Sequence, residues 1–442
     1  MYNVGKERRM DMAHIKINTE EIIGKMKPMH GGGQPPLRGE RFSGDFHYLT
    51  EAGIPFSRLH DVGGVFGGGR FVDIPNVFRN FDADENDPEN YDFTFTDIIM
   101  EELVKAGVEP YYRLGTTIEN QALIKAYHTK PPKDYEKWAR ICEHIIAHYT
   151  EGWADGYHFG VQYWEIWNEP DVQEQMMWNG TPEEYYRLYE VASKHLKKCF
   201  PNIKIGGFAS CGFYAIAPDK NNTPPSEHEE NLMSFFYGFF DYIKKTNAPI
   251  DFFSWHSYAD ADRVVVADKW LHNTLVEFGY GNIETHLNEW NPDFGQGYGT
   301  AKHNAQIAAV ILGMQNGYED VLCIYDMRTN TAPYCPLFDI KTHKPIQGYY
   351  TLAAFNSLYK LKTQVKHECD TEGLYTSCAF DGKKGALMIS NISGEKQELT
   401  ISGINLENAR YYVIDDTRLL SWAPNANVIE KDEVWLIEFD AD

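Results

Sequence analysis

The stretch VQYWEIWNEPDV, residues 161–172, decides the fold of this chain. Tyr163, Trp164, Ile166 and Trp167 form an apolar, aromatic run that predicts a buried strand, and the run stops on Asn168, Glu169 and Pro170. A carboxylate where a buried strand meets its loop is the position from which α/β barrels act. The alternative is that Asn168 and Glu169 cap the helix beginning near Pro182. Capping accounts for either residue alone, but poorly for an ordered amide and carboxylate between an aromatic run and a proline.

Outward from this stretch, strand and helix signals alternate. Upstream, PMHGGG (28–33) predicts a strand ending in a glycine loop, IPFSRLHD (54–61) a second strand and VEPYYRLG (108–115) a third. Downstream come IKIGGFAS (203–210), IDFFSWHSY (250–258), IETHLNEWN (283–291) and EDVLCIYDMR (319–328). Amphipathic segments such as 96–107, 133–152, 182–200, 231–246, 267–279, 301–317 and 346–361 separate or follow them. Eight strands in this rhythm predict parallel βαβ units closed into a (β/α)8 TIM barrel over 28–361. An open doubly wound sheet would put a glycine fingerprint after its first strand, and GGVFGGGR (63–70) lacks both that spacing and a helix opening on it. It reads as a flexible loop. After residue 362 the texture changes to short β runs separated by Gly, Asn and Asp, which predict an appended β-sandwich over 362–442, with the alternating HIKIN segment of 13–27 available to complete it.

Composition narrows the partners. The 64 acidic residues against 41 basic ones leave a formal charge of −23, which disfavours nucleic acid and anionic lipid. Aromatic residues make up 14% of the chain, enough to supply flat faces that stack on sugar rings. The seven cysteines form no CxxC pair and predict reduced thiols. The N-terminus has no apolar core after its basic residues, so a cytoplasmic location is expected unless a signal has been removed, in which case the protein is periplasmic or secreted. No metal or cofactor is expected. His144 and His148 are four apart on a helix but lack the glutamate of HExxH, and GGFASCG does not meet GxSxG spacing.

Closing the barrel brings the strand ends together: Arg58, His60 and Asp61; Arg113; Asn168 and Glu169; His256 and Tyr258; Asn288, Glu289, Trp290 and Asn291; Tyr325, Asp326 and Arg328. Glu169 and Glu289 face each other from the fourth and seventh strands. Two carboxylates across a pocket are the minimal equipment for glycoside hydrolysis.

YWEIWNEPD, RLHD, WHSY and LNEWN, in this order, resemble the clan A retaining glycoside hydrolases, and most closely family 39, which holds β-xylosidases and α-L-iduronidases. The resemblance implies a retaining, exo-acting β-glycosidase acting on a carbohydrate, first of all a β-xylosidase. Glu169 would be the general acid/base and Glu289 the nucleophile. It further implies that Asn168 bonds the sugar 2-hydroxyl, that Tyr258 orients Glu289, and that His60, His256 and Trp290 line the sugar. Such roles require a raised pKa at Glu169 and a lowered one at Glu289, with Arg58 or Tyr258 supplying the difference. The rival expectations are an endo-glycosidase or iduronidase on the same barrel, and a carbohydrate-binding protein with an occluded pocket.

Overall fold

The computed structural model describes residues 12–37, 44–62, 71–117, 129–172, 176–292, 297–329 and 334–441. The glycine-rich segment 63–70 lies outside them. The chain divides into two compact units, one of Pro28–Gly295 with Gly317–Lys344, the other of Met1–Lys27, Gln296–Asn316 and Pro345–Asp442.

After a first strand, β1 (Ala13–Lys25), the first unit carries eight more: β2 (Gly31–Gly33), β3 (Phe56–Leu59), β4 (Glu109–Leu114), β5 (Tyr163–Ile166), β6 (Lys204–Ser210), β7 (Phe252–Ser257), β8 (Glu284–Trp290) and β9 (Val321–Ile324). They pair in parallel and close on one another as β2 meets β9, so the eight-stranded barrel is the observed fold. Helices intervene in chain order: α1 (Phe46–Ala52), α2 (Ile74–Val77), α3 (Thr94–Lys105), α4 (Tyr135–Thr150), α5 (Pro182–Cys199), α6 (Glu227–Thr246) and α7 (Ala261–Phe278). The glycines at 31–33 are the first strand itself rather than a loop after it. A Cβ on Gly31 would lie 2.6 Å from the Leu322 carbonyl oxygen, and one on Gly32 would lie 2.4 Å from Met327 Cγ. Only glycine lets this short strand approach the last one so closely.

The barrel is filled in layers, as parallel barrels are. Tyr111, Tyr163, Phe252, Val321 and Cys323 form one apolar layer. Inward alternation along β5 then replaces an aromatic with a charge, since Glu165 follows Tyr163 two residues on.

The second unit is a nine-stranded sheet in the order β15-β14-β17-β12-β11-β10-β1-β13-β16, built from β1 with β10 (Thr363–Cys369), β11 (Leu374–Phe380), β12 (Lys384–Asn391), β13 (Gln397–Ser402), β14 (Arg410–Ile414), β15 (Ser421–Ala423), β16 (Val428–Ile429) and β17 (Val434–Asp440). It curls into a sandwich-like body: Ile15 and Ile17 of β1 share one core with Leu387, Tyr411, Ile429 and Trp435 from both halves. β1 pairs antiparallel with β10 and parallel with β13. Two further helices, α8 (Ala301–Asn316) and α9 (Gln347–Leu361), pack on β11 and β12.

Candidate active site

The residues following β5 owe their direction to the backbone. Trp167 has φ 75° and Glu169 φ 46°, both in the left-handed region that costs a non-glycine residue about 1–3 kcal/mol and concentrates at functional sites. Asn168 and Glu169 are neighbours, yet both turn toward the barrel interior, Asn168 onto Arg58 and Glu169 onto His256. They do not cap α5. That helix is capped by Thr181, whose side chain and Glu184 form a reciprocal capping box.

A second irregularity does the same on β8. The β7–β8 register slips between Trp255 and His256, and the β8–β9 register between Leu287 and Trp290. Consecutive Asn288 and Glu289 therefore both face inward, Asn288 bonding Glu165 and Glu289 bonding Arg58. Bulges beside active sites re-aim side chains in this way.

Arg58, at 1% exposure, joins the groups into one network. Its guanidinium donates from Nε to Glu165 Oε2 (2.8 Å), from Nη1 to Glu289 Oε2 (3.0 Å) and from Nη2 to Asn168 Oδ1 (2.6 Å). Burial opposes its charge, but Glu165 and Glu289 outweigh burial and hold the guanidinium above its ordinary pKa. Glu165 is fully buried and also accepts from Ser254 Oγ and Asn288 Nδ2, each at 2.6 Å.

Tyr258 Oη donates to Glu289 Oε1 at 2.7 Å, and His256 Nδ1 lies 2.6 Å from Glu169 Oε1 and 3.9 Å from Glu289 Oε2. Donor atoms of Glu169, His256 and Glu289 all lie within 4.8 Å of one another. That spacing would also suit a cation, but the fixed charge of Arg58 on Glu289 opposes one.

Burial pushes the Glu169 carboxyl up to about 7, against the attraction of Arg58. Burial also raises Glu289, so the lowered pKa expected from sequence is not found. The reason is that removing this carboxylate from water outweighs its favourable partners. His256, Arg58 and the Tyr258 hydroxyl each pull it back down, while Glu169 raises it. Glu289 thus holds a direct bond from a guanidinium, whereas Glu169 is held by the Cys211 thiol and by His256, which burial drives to about 4 and keeps neutral. The two carboxyls are differentiated by their partners: the ionised form is favoured more at Glu289.

The structure therefore brings Arg58, Asn168, Glu169, His256, Tyr258 and Glu289 into direct contact. His60 and Trp290 stand at the same end of the barrel with no hydrogen bond to either carboxylate among the described residues. Arg113 Nε donates to His60 Nδ1 at 3.3 Å, and burial followed by Arg113 keeps His60 well below its usual pKa. The buried Trp290 Nε1 and Asn168 Nδ2 have no hydrogen-bond partner among the described residues.

Sequence reasoning missed Glu165 and Asp171. Glu165 carried a signal, a lone carboxylate inside an aromatic strand, which demands a buried cation. Asp171 accepts from Ser210 Oγ (2.7 Å) and the Cys211 N–H (3.1 Å), and burial raises it to about 7. None of the seven cysteines is in a disulfide. No helix of the described residues is long and apolar enough to cross a membrane.

The C-terminal end of an eight-stranded parallel barrel thus holds two differentiated carboxylates, one of them bonded to a buried arginine, which is the equipment that glycoside hydrolysis requires. The profile of the glycosyl hydrolases family 39 matches residues 58–276. Relatives include a beta-xylosidase of Geobacillus stearothermophilus, 25% identical over 234 residues, covering 50% of this chain and 39% of that protein. A beta-xylosidase of Caldicellulosiruptor saccharolyticus is 28% identical over 218 residues, covering 47% of this chain and 37% of that protein. The match thus spans about two fifths of these curated relatives. A glucosidase from Croceicoccus marinus has the same fold, with a TM-score of 0.77 at 19% identity over 97% of this chain and 99% of that one.

Proposed function

We propose that the chain is a retaining, exo-acting β-glycosidase, and specifically a β-xylosidase, with Glu289 as nucleophile and Glu169 as general acid/base. The observation that carries this reading is the carboxylate spacing. Oxygens of Glu169 and Glu289 approach within 4.8 Å, which is nearer the ~5–5.5 Å separation of retaining enzymes than the ~6.5–9.5 Å of inverting ones.

In the first step the Glu289 carboxylate attacks the anomeric carbon while Glu169 gives its proton to the departing oxygen, leaving a glycosyl ester on Glu289. In the second, water attacks the same carbon, Glu169 takes the water's proton and Glu289 leaves as a carboxylate. A Glu169 pKa of about 7 suits a group that must give and then take a proton near neutrality. Arg58 and Tyr258 hold Glu289 ionised and aimed. The unpartnered Nδ2 of Asn168 is a donor for the sugar 2-hydroxyl, a bond that strengthens as charge develops on the ring. His256 fixes the orientation of Glu169 and, with His60 and Trp290, lines the sugar site. The depth of the carboxylates, 9% exposed at Glu169 and 6% at Glu289, supports capture of a terminal sugar. The names of the relatives support xylose.

A panel of aryl α- and β-glycosides tests the reading. Highest kcat/KM is expected on the β-xyloside, with turnover lost in Glu289→Gln. Absence of turnover on every β-glycoside of the panel, by folded protein, would overturn it.

A further inference from the structure

Two helices flank the strand that carries Asn168 and Glu169: α4 before it and α5 after it. On α5, His195 and Cys199 are one helical turn apart and share a face. Glu143 of α4 meets them there. His195 Nε2 lies 2.6 Å from Glu143 Oε2 and 3.8 Å from Cys199 Sγ, and the three donor atoms all fall within 4.8 Å of one another. Nothing in the proposed reaction uses them.

We propose that Glu143, His195 and Cys199 form a binding site for a divalent transition-metal ion of the zinc class, which clamps α4 to α5. The donor set is one carboxylate oxygen, one imidazole nitrogen and one thiolate sulfur, the ligand chemistry of zinc sites with three protein ligands and an open fourth position. A tetrahedral ion with bonds of about 2.0–2.3 Å has edges of roughly 3.3–3.8 Å between ligands. The sulfur–nitrogen edge already meets this. The Glu143–His195 edge is a hydrogen bond and must open by about 1 Å, which rotation of a carboxylate with 30% side-chain exposure provides. His195 is 29% exposed, so the ion has a route in and a face for water. On binding, the thiol gives up its proton and His195 carries its hydrogen on Nδ1.

The histidines that sequence spacing pairs, His144 and His148, do not compete. His148 is committed at both nitrogens, to Trp153 O at 2.8 Å and Asp97 Oδ1 at 3.0 Å, and His144 Nδ1 is engaged by Tyr91 Oη at 3.2 Å. Among the described residues, no other cluster of this kind contains a cysteine.

Cobalt(II) titration of the reduced full-length protein tests the site through the thiolate-to-metal charge-transfer absorption. One equivalent is expected to develop the band with a Kd below about 0.1 mM, and zinc(II) should displace it. Cys199→Ser should abolish the band and Cys211→Ser leave it intact. His195→Gln and Glu143→Gln should weaken binding at least roughly tenfold in the same titration. Zinc should raise the melting temperature of the parent protein but not of Cys199→Ser. Absence of the band at that concentration, or a band that survives Cys199→Ser, overturns the proposal. If Cys199→Ser does not fold, the His195→Gln and Glu143→Gln titrations decide, and unchanged affinity in both overturns it.

Discussion

Tyr258→Phe removes a single oxygen, the one that donates to Glu289 Oε1 at 2.7 Å. A hydrogen bond to a charged group is worth about 1.5–3 kcal/mol. Because this one favours the ionised nucleophile, its loss should raise the Glu289 pKa further. The sign follows from the direction already present: burial has raised this carboxyl and the tyrosine restrains it. Removing the restraint moves the acid limb of kcat/KM against pH upward, since activity requires the carboxylate and is lost as pH falls through its pKa. At a pH above both limbs' midpoints on an activated aryl β-xyloside, little of the loss from titration should remain. Below the shifted midpoint, kcat/KM should fall about 10- to 100-fold relative to the parent enzyme. An acid limb that stays in place while activity drops uniformly would refute the idea that Tyr258 acts on the charge of Glu289, and would leave it a packing residue.

Other outcomes follow from the same network. Glu169→Ala should cost about 10²–10⁴-fold on substrates with poor leaving groups and far less in the glycosylation of an activated aryl glycoside, a contrast read by comparing leaving groups in pre-steady-state kinetics. With the parent enzyme and a poor leaving group, kcat/KM should decline as pH rises through about 7, where Glu169 loses its proton. The fold favours that protonated form, so its contribution to stability is complete below about 4.5 and lost as pH rises through about 7, measurable by denaturant unfolding across that window. Arg58→Met leaves Glu165 and Glu289 buried without a cation and should destabilise the barrel by about 3–5 kcal/mol near neutral pH, with a smaller loss in acid, by the same unfolding assay.

The barrel is legible because its signal is repetitive: apolar runs broken by polar residues, most of them separated by helical periodicity. One strand departed from the reading, since Gly31–Gly33 has no side chains with which to announce itself and is selected by close approach to Leu322 and Met327. At the site, residue types at strand ends were readable, but directions were not. Whether both Asn168 and Glu169 face inward depends on positive φ at Trp167 and Glu169, and whether both Asn288 and Glu289 do depends on register slips around β8. Alternation rules assign such neighbours to opposite faces. Glu165 is hidden in the sequence for the converse reason: it sits mid-strand, away from the polar strand ends. The direction of the Glu289 pKa differs from the sequence expectation because sequence displays its charged partners and hides the burial that outweighs them.

The central claim is double displacement through Glu289. Proton NMR of the first sugar released from an aryl β-xyloside, recorded before mutarotation, tests it most directly. The β-anomer is expected to appear first and the α-anomer only as equilibrium is approached. Initial release of the α-anomer would contradict a glycosyl-enzyme on Glu289 and the reading of the carboxylate spacing on which it rests.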